Sequence, residues 1–319
     1  MIPVSQLSCL WFSPNERTRA TTVAIMANSF GSTASFLINP SIVARPTNLP
    51  YLLYFHFALA LLAAIPALIY FPAEPQTPPS HAAQILMRGK EKNTDSDLKT
   101  YIKDLRQCVT NRSFVLLVTV GGLMGGTFAI WTGLFSTILA FENYSEKQAG
   151  WFAFGSSFGS IVGGFCMSAL ADIPRFQRSL KTFILLALIG CLLSVMWFQL
   201  SIRTIFYNVP ILGSNQVTIG ISLILVGVCR GAALPLIYES LAEITFPLPE
   251  SLSASVLLQL MNITAVILLF STTGRYKLMN LIVVITNLVS VIMVVFVRVS
   301  YKRRNEDGRM KNETILGLD

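Results

Sequence analysis

The sequence predicts an all-α polytopic membrane protein with about eight transmembrane helices, and three observations carry that prediction. Apolar residues make up 53% of the 319 and charged residues 13%, with a mean hydropathy of +0.61. That leaves too little polar surface to cover a water-soluble globule of this length. Apolar runs of roughly 20 residues, the length that crosses a bilayer, recur near 20–43, 51–71, 114–140, 148–171, 180–200, 217–241, 252–273 and 278–298. The basic residues between these runs alternate in density, which is the third observation. One side holds Arg17 and Arg19, seven from Arg88 to Arg112, then Arg175, Arg178 and Lys181, and six from Arg298 to Lys311, 18 in all. The other side holds five: Arg45, Lys147, Arg203, Arg275 and Lys277. The excess marks its side as cytoplasmic and puts the C-terminus there. The net charge of +8 is therefore read as orientation, and no nucleic-acid partner is expected.

Taken in order, residues 1–12 read as the tail of another helix. They lack the basic flank, apolar core and small-residue cleavage site of a signal peptide, so the chain is expected to begin in mid-architecture. The longest loop, 72–113, opens with Pro72, Pro75, Pro78 and Pro79 and then turns charged, as a cytoplasmic linker does. Within it Leu98, Ile102 and Leu105 fall near helical spacing among Lys99, Lys103 and Arg106, which predicts a short amphipathic helix on the membrane surface. The expected division is 1–71 as the remnant of an N-terminal half, 72–113 as linker, 114–298 as a six-helix half and 299–319 as a cytoplasmic tail. Five cysteines, Cys9, Cys108, Cys166, Cys191 and Cys229, are scattered without metal-site or disulfide spacing and read as packing residues.

The polar residues inside the apolar runs carry the functional reading, because charges are expensive in hydrocarbon unless a cavity, a partner or a function offsets them. Arg230, Glu239 and Glu243 lie in or at the end of one run, and Asn262 lies in the middle of the next. At an offset of 234 residues, Phe12, Glu16, Ala20 and Asn28 match Phe246, Glu250, Ala254 and Asn262, as two parallel repeats would. Asn28 and Asn262 are a symmetric pair that either bonds a substrate or packs against a neighbouring helix. Trp131, in a run broken by Gly121, Gly122, Gly125, Gly126 and Gly133, offers an aromatic face and one N–H to a solute, or else anchors at the interface. Glu239 and Glu243 share a helix face, the first expected to be partly desolvated for proton exchange and the second better solvated, with a structural gate as the other reading. Arg230 is too far along the helix and on the wrong face to pair with Glu239. His56 reads as a packed, neutral histidine, and the four-residue spacing of Gly155, Gly159 and Gly163 as a close helix contact. Asn143-Tyr144-Ser145 is a glycosylation sequon in a short loop. No phosphate-cradling loop, nucleophile–base pair or metal spacing is visible, so no enzyme activity, catalytic residue, metal or cofactor is expected.

The stretch from Ser168 to Lys181, with Ala-Leu-Ala-Asp172 followed by Arg175, Arg178 and Lys181, resembles the loop signature of the major facilitator superfamily, with serine for the usual leading glycine. In such proteins this loop joins the eighth and ninth of twelve helices, so the resemblance implies a major facilitator-type helix bundle in which the eight runs are helices 5–12. Asp172, Arg175 and Arg178 would then form charge-assisted pairs that hold one conformation and release in another. Trp11-Phe12-Ser13-Pro14-Asn15-Glu16-Arg17, Gln148-Ala149-Gly150-Trp151 and Pro235-x3-Glu239-x3-Glu243-x2-Phe246-Pro247-x2-Glu250 are similar to solute carrier family 49, which includes the feline leukaemia virus subgroup C receptor-related transporters. Ala129-x-Trp131-x-Gly133 and Ser194 to Phe198 resemble its disrupted in renal carcinoma protein 2 branch. The resemblance runs from about Ser5 to Arg298, and the first three helices with most of the fourth are expected to be missing from this chain.

What the resemblance implies is secondary transport of a small organic solute by alternating access, with pyridoxine, choline or haem as the class of cargo, proton coupling, and a lysosomal or plasma membrane. In the choline-type branch glutamines fall at the positions of Ser29 and Asn262, which adds Ser29 to Asn28, Asn262 and Trp131 as candidate substrate contacts. Arg230 joins them as a candidate, although the family pattern supplies no arginine there. A truncated, non-transporting partner or regulator, or an incomplete gene model, is the rival reading. The expected partners are the solute and the lipid bilayer, with the oligomeric state open.

Overall fold

The structure, a computed structural model, describes residues 11–12, 17–70, 72, 75, 95–173, 176, 178–246, 248, 250–272 and 274–301. Among them are ten α-helices: α1 (Arg17–Ile42), α2 (Leu49–Ile69), α3 (Asp95–Thr110), α4 (Arg112–Gly133), α5 (Phe135–Ala140), α6 (Glu146–Asp172), α7 (Leu180–Leu200), α8 (Gln216–Thr245), α9 (Glu250–Thr272) and α10 (Tyr276–Phe296). Seven of these, α2, α4 and α6 to α10, are long and apolar enough to cross a membrane. The all-α polytopic fold is therefore as the sequence predicts. The first predicted run does form α1, but Asn28, Ser29, Ser32, Thr33, Ser35 and Asn39 make it less apolar than the others.

The chain divides into two compact units, residues 1–102 and 103–319, and the division falls inside α3. In the first unit α1 ends two residues beyond Pro40, a turn closes with Asn48 N–H donating to the Arg45 carbonyl, and Pro50 opens α2, where its missing N–H does no harm. No residue of α2 is buried, and His56 is exposed on it. This corrects the expectation of a packed histidine, since among the described residues no helix of its own unit covers that face.

In the second unit two three-helix groups interlock. α4 packs against α9 and α10, α8 packs against α6 and α7, and the groups join where α4 meets α8 and α7 meets α10. The amphipathic stretch is helical, as its spacing predicts: Leu105 and Cys108 turn into the core while Tyr101 and Ile102 stay exposed. Burial, and then the nearby Asp104 carboxylate, push the Cys108 thiol up, which suits a packing residue. Asn111 caps α4 by accepting from Ser113 N (3.0 Å) and Phe114 N (3.3 Å), and Ser145 with Gln148 forms a capping box at the start of α6.

Glycines set how closely the helices approach. A Cβ on Gly227 or Gly231 of α8 would overlap the carbonyl oxygens of Ser156 and Ser160 on α6, and one on Gly163 would overlap that of Val228. The Gly155, Gly159, Gly163 repeat is thus a helix contact, with α8 as its partner. Gly121, Gly122, Gly125 and Gly126 do not break their run: α4 is continuous, and these glycines admit Leu257, Leu260 and Met261 of α9. At the end of the unit Lys181 Nζ donates to Val295 O (2.7 Å), Arg298 N to Ser113 Oγ (3.1 Å) and Tyr301 OH to Arg178 O (2.6 Å), which tie the starts of α4 and α7 to the end of α10 and the chain after it.

Candidate functional site

Trp131 is fully enclosed, at 0% exposure. Its indole meets Phe135 (4.8 Å between centroids) and Phe198 (5.3 Å) edge to face, with Phe128 at 6.2 Å. Its one donor, Nε1–H, is given to Asn280 Oδ1 at 2.9 Å. The Asn280 carbonyl accepts from Gln199 Nε2 (2.6 Å), and Tyr207 OH donates to the Gln199 carbonyl. The chain of bonds links α4, α10, α7 and the loop after α7. The expectation that Trp131 offers a free face to a solute is therefore corrected: α4 turns it into its own unit, where the ring is fully enclosed and the N–H is occupied.

Arg230, on α8, points into the same interior. Its guanidinium carbon lies 4.0 Å from the centroid of the Phe128 ring, and Nη1 donates to Ser160 Oγ at 3.3 Å. A small cavity between α4, α7, α8 and α10, about 10 Å³, is bordered by Thr127, Phe128, Trp131, Arg230 and Asn287, with no carboxylate on its wall. Thr127 Oγ1, Arg230 Nε and Asn287 Oδ1 have no hydrogen-bond partner among the described residues. Such a space has room for about one water. It is too small for an organic solute, so Arg230 as a direct substrate contact is corrected as well: the residue closes the inside of the unit.

Asn262 lies on the opposite kind of surface. Leu257, Leu260, Met261, Thr264 and Ala265 turn toward the α4 glycines, which leaves Ser255, Gln259, Asn262 and Val266 on the far side of α9 at helical spacing. Gln259 and Asn262 are exposed, and the Asn262 amide makes no hydrogen bond among the described residues. Gln259 went unnoticed in the sequence, though its place three residues before Asn262 was readable. In the first unit Asn28 is exposed and Ser29 half-buried on α1. Trp131 and Arg230 are thus brought together, and Asn262 is kept apart from them.

Glu243 is fully buried and Glu239 half-buried. The expected order of solvation is reversed, because α8 runs on to Thr245 and every residue from 240 to 245 is buried there. Among the loop residues, Arg175 and the side chain of Asp172 lie outside the described residues, while Arg178 is exposed just before α7. Asn143 takes a left-handed φ of 64° at the end of α5, and the Ser145 hydroxyl of its sequon is engaged in capping α6. No group of three or more His, Cys, Asp or Glu that could hold a metal forms among the described residues.

Residues 1–261 match the family model of the Major Facilitator Superfamily. The chain is 31% identical over 290 residues to a solute carrier family 49 member 4 homolog of Xenopus laevis, a match covering 85% of this chain and 60% of the relative. It is 28% identical over 180 residues to solute carrier family 49 member A3 of Xenopus tropicalis (56% and 35%). It is 26% identical over 263 residues to the choline/ethanolamine transporter FLVCR1 of Felis catus (79% and 44%). The chain spans about 60% of the length of the first of these relatives. With an all-helical fold, seven helices able to span a bilayer and a family match over most of its length, the chain belongs to the Major Facilitator Superfamily, with its likenesses in solute carrier family 49.

Proposed function

We propose that this chain serves transmembrane transport of a small organic solute by alternating access, and is no enzyme. The observation that carries the reading is the outward stripe of α9. Two polar side chains, Gln259 and Asn262, stand exposed in an apolar helix whose other face is sealed against α4. A polar amide at membrane depth has to meet water, a solute or another protein surface. Asn28, Ser29 and Asn262 are the proposed solute contacts, with Trp131 and Arg230 as supports of α4 and α8. The cargo class is a vitamin-like or amine solute such as pyridoxine, choline or haem, in keeping with a relative named as a choline/ethanolamine transporter. Proton coupling is assigned to Glu239, with Glu243 as a gate, and Asp172, Arg175 and Arg178 as the conformational loop. The membrane is lysosomal or plasma membrane, with the C-terminus cytoplasmic by the distribution of basic residues.

The test is uptake by sealed vesicles carrying the chain, with radiolabelled pyridoxine and choline, at equal pH and with an imposed pH gradient. Accumulation that follows the gradient is the expected result. Absence of any uptake by correctly inserted protein sinks the reading, and uptake that needs a second co-inserted protein favours the non-transporting partner. Epitopes placed after residue 301 should be reached only from the cytoplasmic side.

A further inference from the structure

A cavity of about 200 Å³ opens on the second unit between the end of α7, the start of α10 and the loop of residues 201–215. Its wall is almost wholly apolar, with Met196 and Leu200 from α7, Leu281 and Val284 from α10 and Phe206 from the loop. Lys277 is the one charged residue on that wall. Its ammonium donates to Asn208 Oδ1 at 3.2 Å, which leaves further N–H groups for another acceptor. The position is the end of two spanning helices, where bilayer hydrocarbon gives way to headgroups.

The loop above the cavity is built for that depth. Ile205, Phe206, Val209 and Ile211 are exposed on it, between 51% and 77%. An irregular segment at the edge of hydrocarbon has to pair backbone groups within the protein, and this one pairs several. Arg203 N donates to Glu142 Oε1 (2.7 Å), Thr204 N to Tyr207 O (3.0 Å), Phe206 N to Thr204 Oγ1 (3.3 Å) and Leu212 N to Leu200 O (2.9 Å). Arg203 is further held by Glu142 at 3.7 Å, so the loop's own cation is compensated and Lys277 is the one facing the cavity.

We propose that this cavity is a phospholipid site, with one acyl tail in the slot under Phe206 and the headgroup phosphate on the Lys277 ammonium. An apolar tail gains little by leaving one hydrocarbon for another, so tail burial alone would not retain a lipid. The charge-assisted bond to phosphate at the rim, where water thins out, supplies the retention, and the slot supplies the fit. A sterol has no phosphate to offer Lys277, and a free anion has no use for the apolar wall.

The experiment uses the full chain in nanodiscs with a trace of phospholipid carrying a photoreactive group on one acyl chain, followed by peptide mapping. Labelling should fall on the peptides bearing Met196, Leu200 and Phe206. It should drop about fivefold in Lys277→Gln, equivalent to about 1 kcal/mol, and be kept in Lys277→Arg. Leu281→Trp, which fills the slot, should abolish it. Each variant is compared by its melting temperature, and Lys277→Arg shows that loss in Lys277→Gln follows the charge and not the fold. Equal labelling of wild type, Lys277→Gln and Leu281→Trp means ordinary surrounding lipid and overturns the proposal. Stronger labelling of these peptides by a photoreactive sterol overturns it in favour of a different ligand.

Discussion

The interior of the second unit and the outward face of α9 both place polar side chains in the middle of apolar helices, yet they treat them in opposite ways. Inside, the Trp131 donor is held by Asn280 and the Arg230 guanidinium by Phe128 and Ser160, with room left for about one water. Outside, Gln259 and Asn262 stand exposed on a helix whose reverse side is locked into glycines. Which residue type sits in a span therefore says less than which way its helix turns it. A polar group facing its own unit serves cohesion, and one facing outward serves what lies beyond.

The largest effects test the interior. Trp131→Ala removes a fully enclosed indole and should destabilise the unit by about 3–5 kcal/mol, read as a lower melting temperature and less folded protein in the membrane. Trp131→Phe keeps most of the ring contacts but strands Asn280 Oδ1, for a loss of about 1–3 kcal/mol. Uptake lost in Trp131→Phe at unchanged melting temperature would restore Trp131 to the solute. Gly227→Ala and Gly231→Ala come next, at about 1–3 kcal/mol, because the added methyl group meets backbone carbonyls of α6 and no side chain can yield. Gly133→Ala, where nothing lies within 4 Å, should leave melting unchanged. Equal tolerance at all three positions would mean that α6 and α8 do not meet as closely as described.

Much of this fold was legible in the sequence, because apolar length and the four-residue glycine spacing are local signals. The Gly227, Gly231 pair that faces the α6 repeat is readable by the same spacing, and so is the seven-residue interval from Asn280 to Asn287, which puts both on one face of α10. What could not be read was facing. Trp131 and Arg230 are polar in apolar runs, but the lipid-facing side of a spanning helix, such as Val217, Ile221 and Ile224 on α8, is as apolar as its packed side, so no polar stripe reveals which face is inward. The glycines of α4 looked like interruptions for the same reason, since only the arrival of Leu257, Leu260 and Met261 makes them a contact.

The two glutamates of α8 sharpen the comparison at one helix end. Glu243 belongs with the interior, enclosed with its neighbours, and Glu239, half-buried, keeps a route to water. Glu243→Gln should lower melting and membrane abundance, by about 1–3 kcal/mol, as expected when a fully buried carboxyl group is replaced. Glu239→Gln should leave abundance nearly intact and flatten the pH dependence of uptake. A fully retained pH dependence in Glu239→Gln would move proton coupling to another group, with exposed His56 the next to test.

The smallest effect on stability belongs to Asn262, and it separates the two kinds of surface most sharply. Its amide has no partner among the described residues, so Asn262→Ala breaks no bond within the unit and opens no cavity in it. Melting should move by no more than about 0.5 kcal/mol, as for surface positions generally. Uptake should nevertheless fall by about tenfold, because a solute that had bonded the amide would have to give up that bond, worth about 1.4 kcal/mol at tenfold. Asn262→Gln, which returns an amide one methylene further out, should recover part of the loss, and Gln259→Ala should add to it. Asn280→Ala is the matched control: it removes an amide of the same kind from the interior, and it should lower melting and uptake together. If Asn262→Ala behaves like Asn280→Ala, the stripe is a helix-packing surface; if it alters neither melting nor uptake, the solute path lies elsewhere.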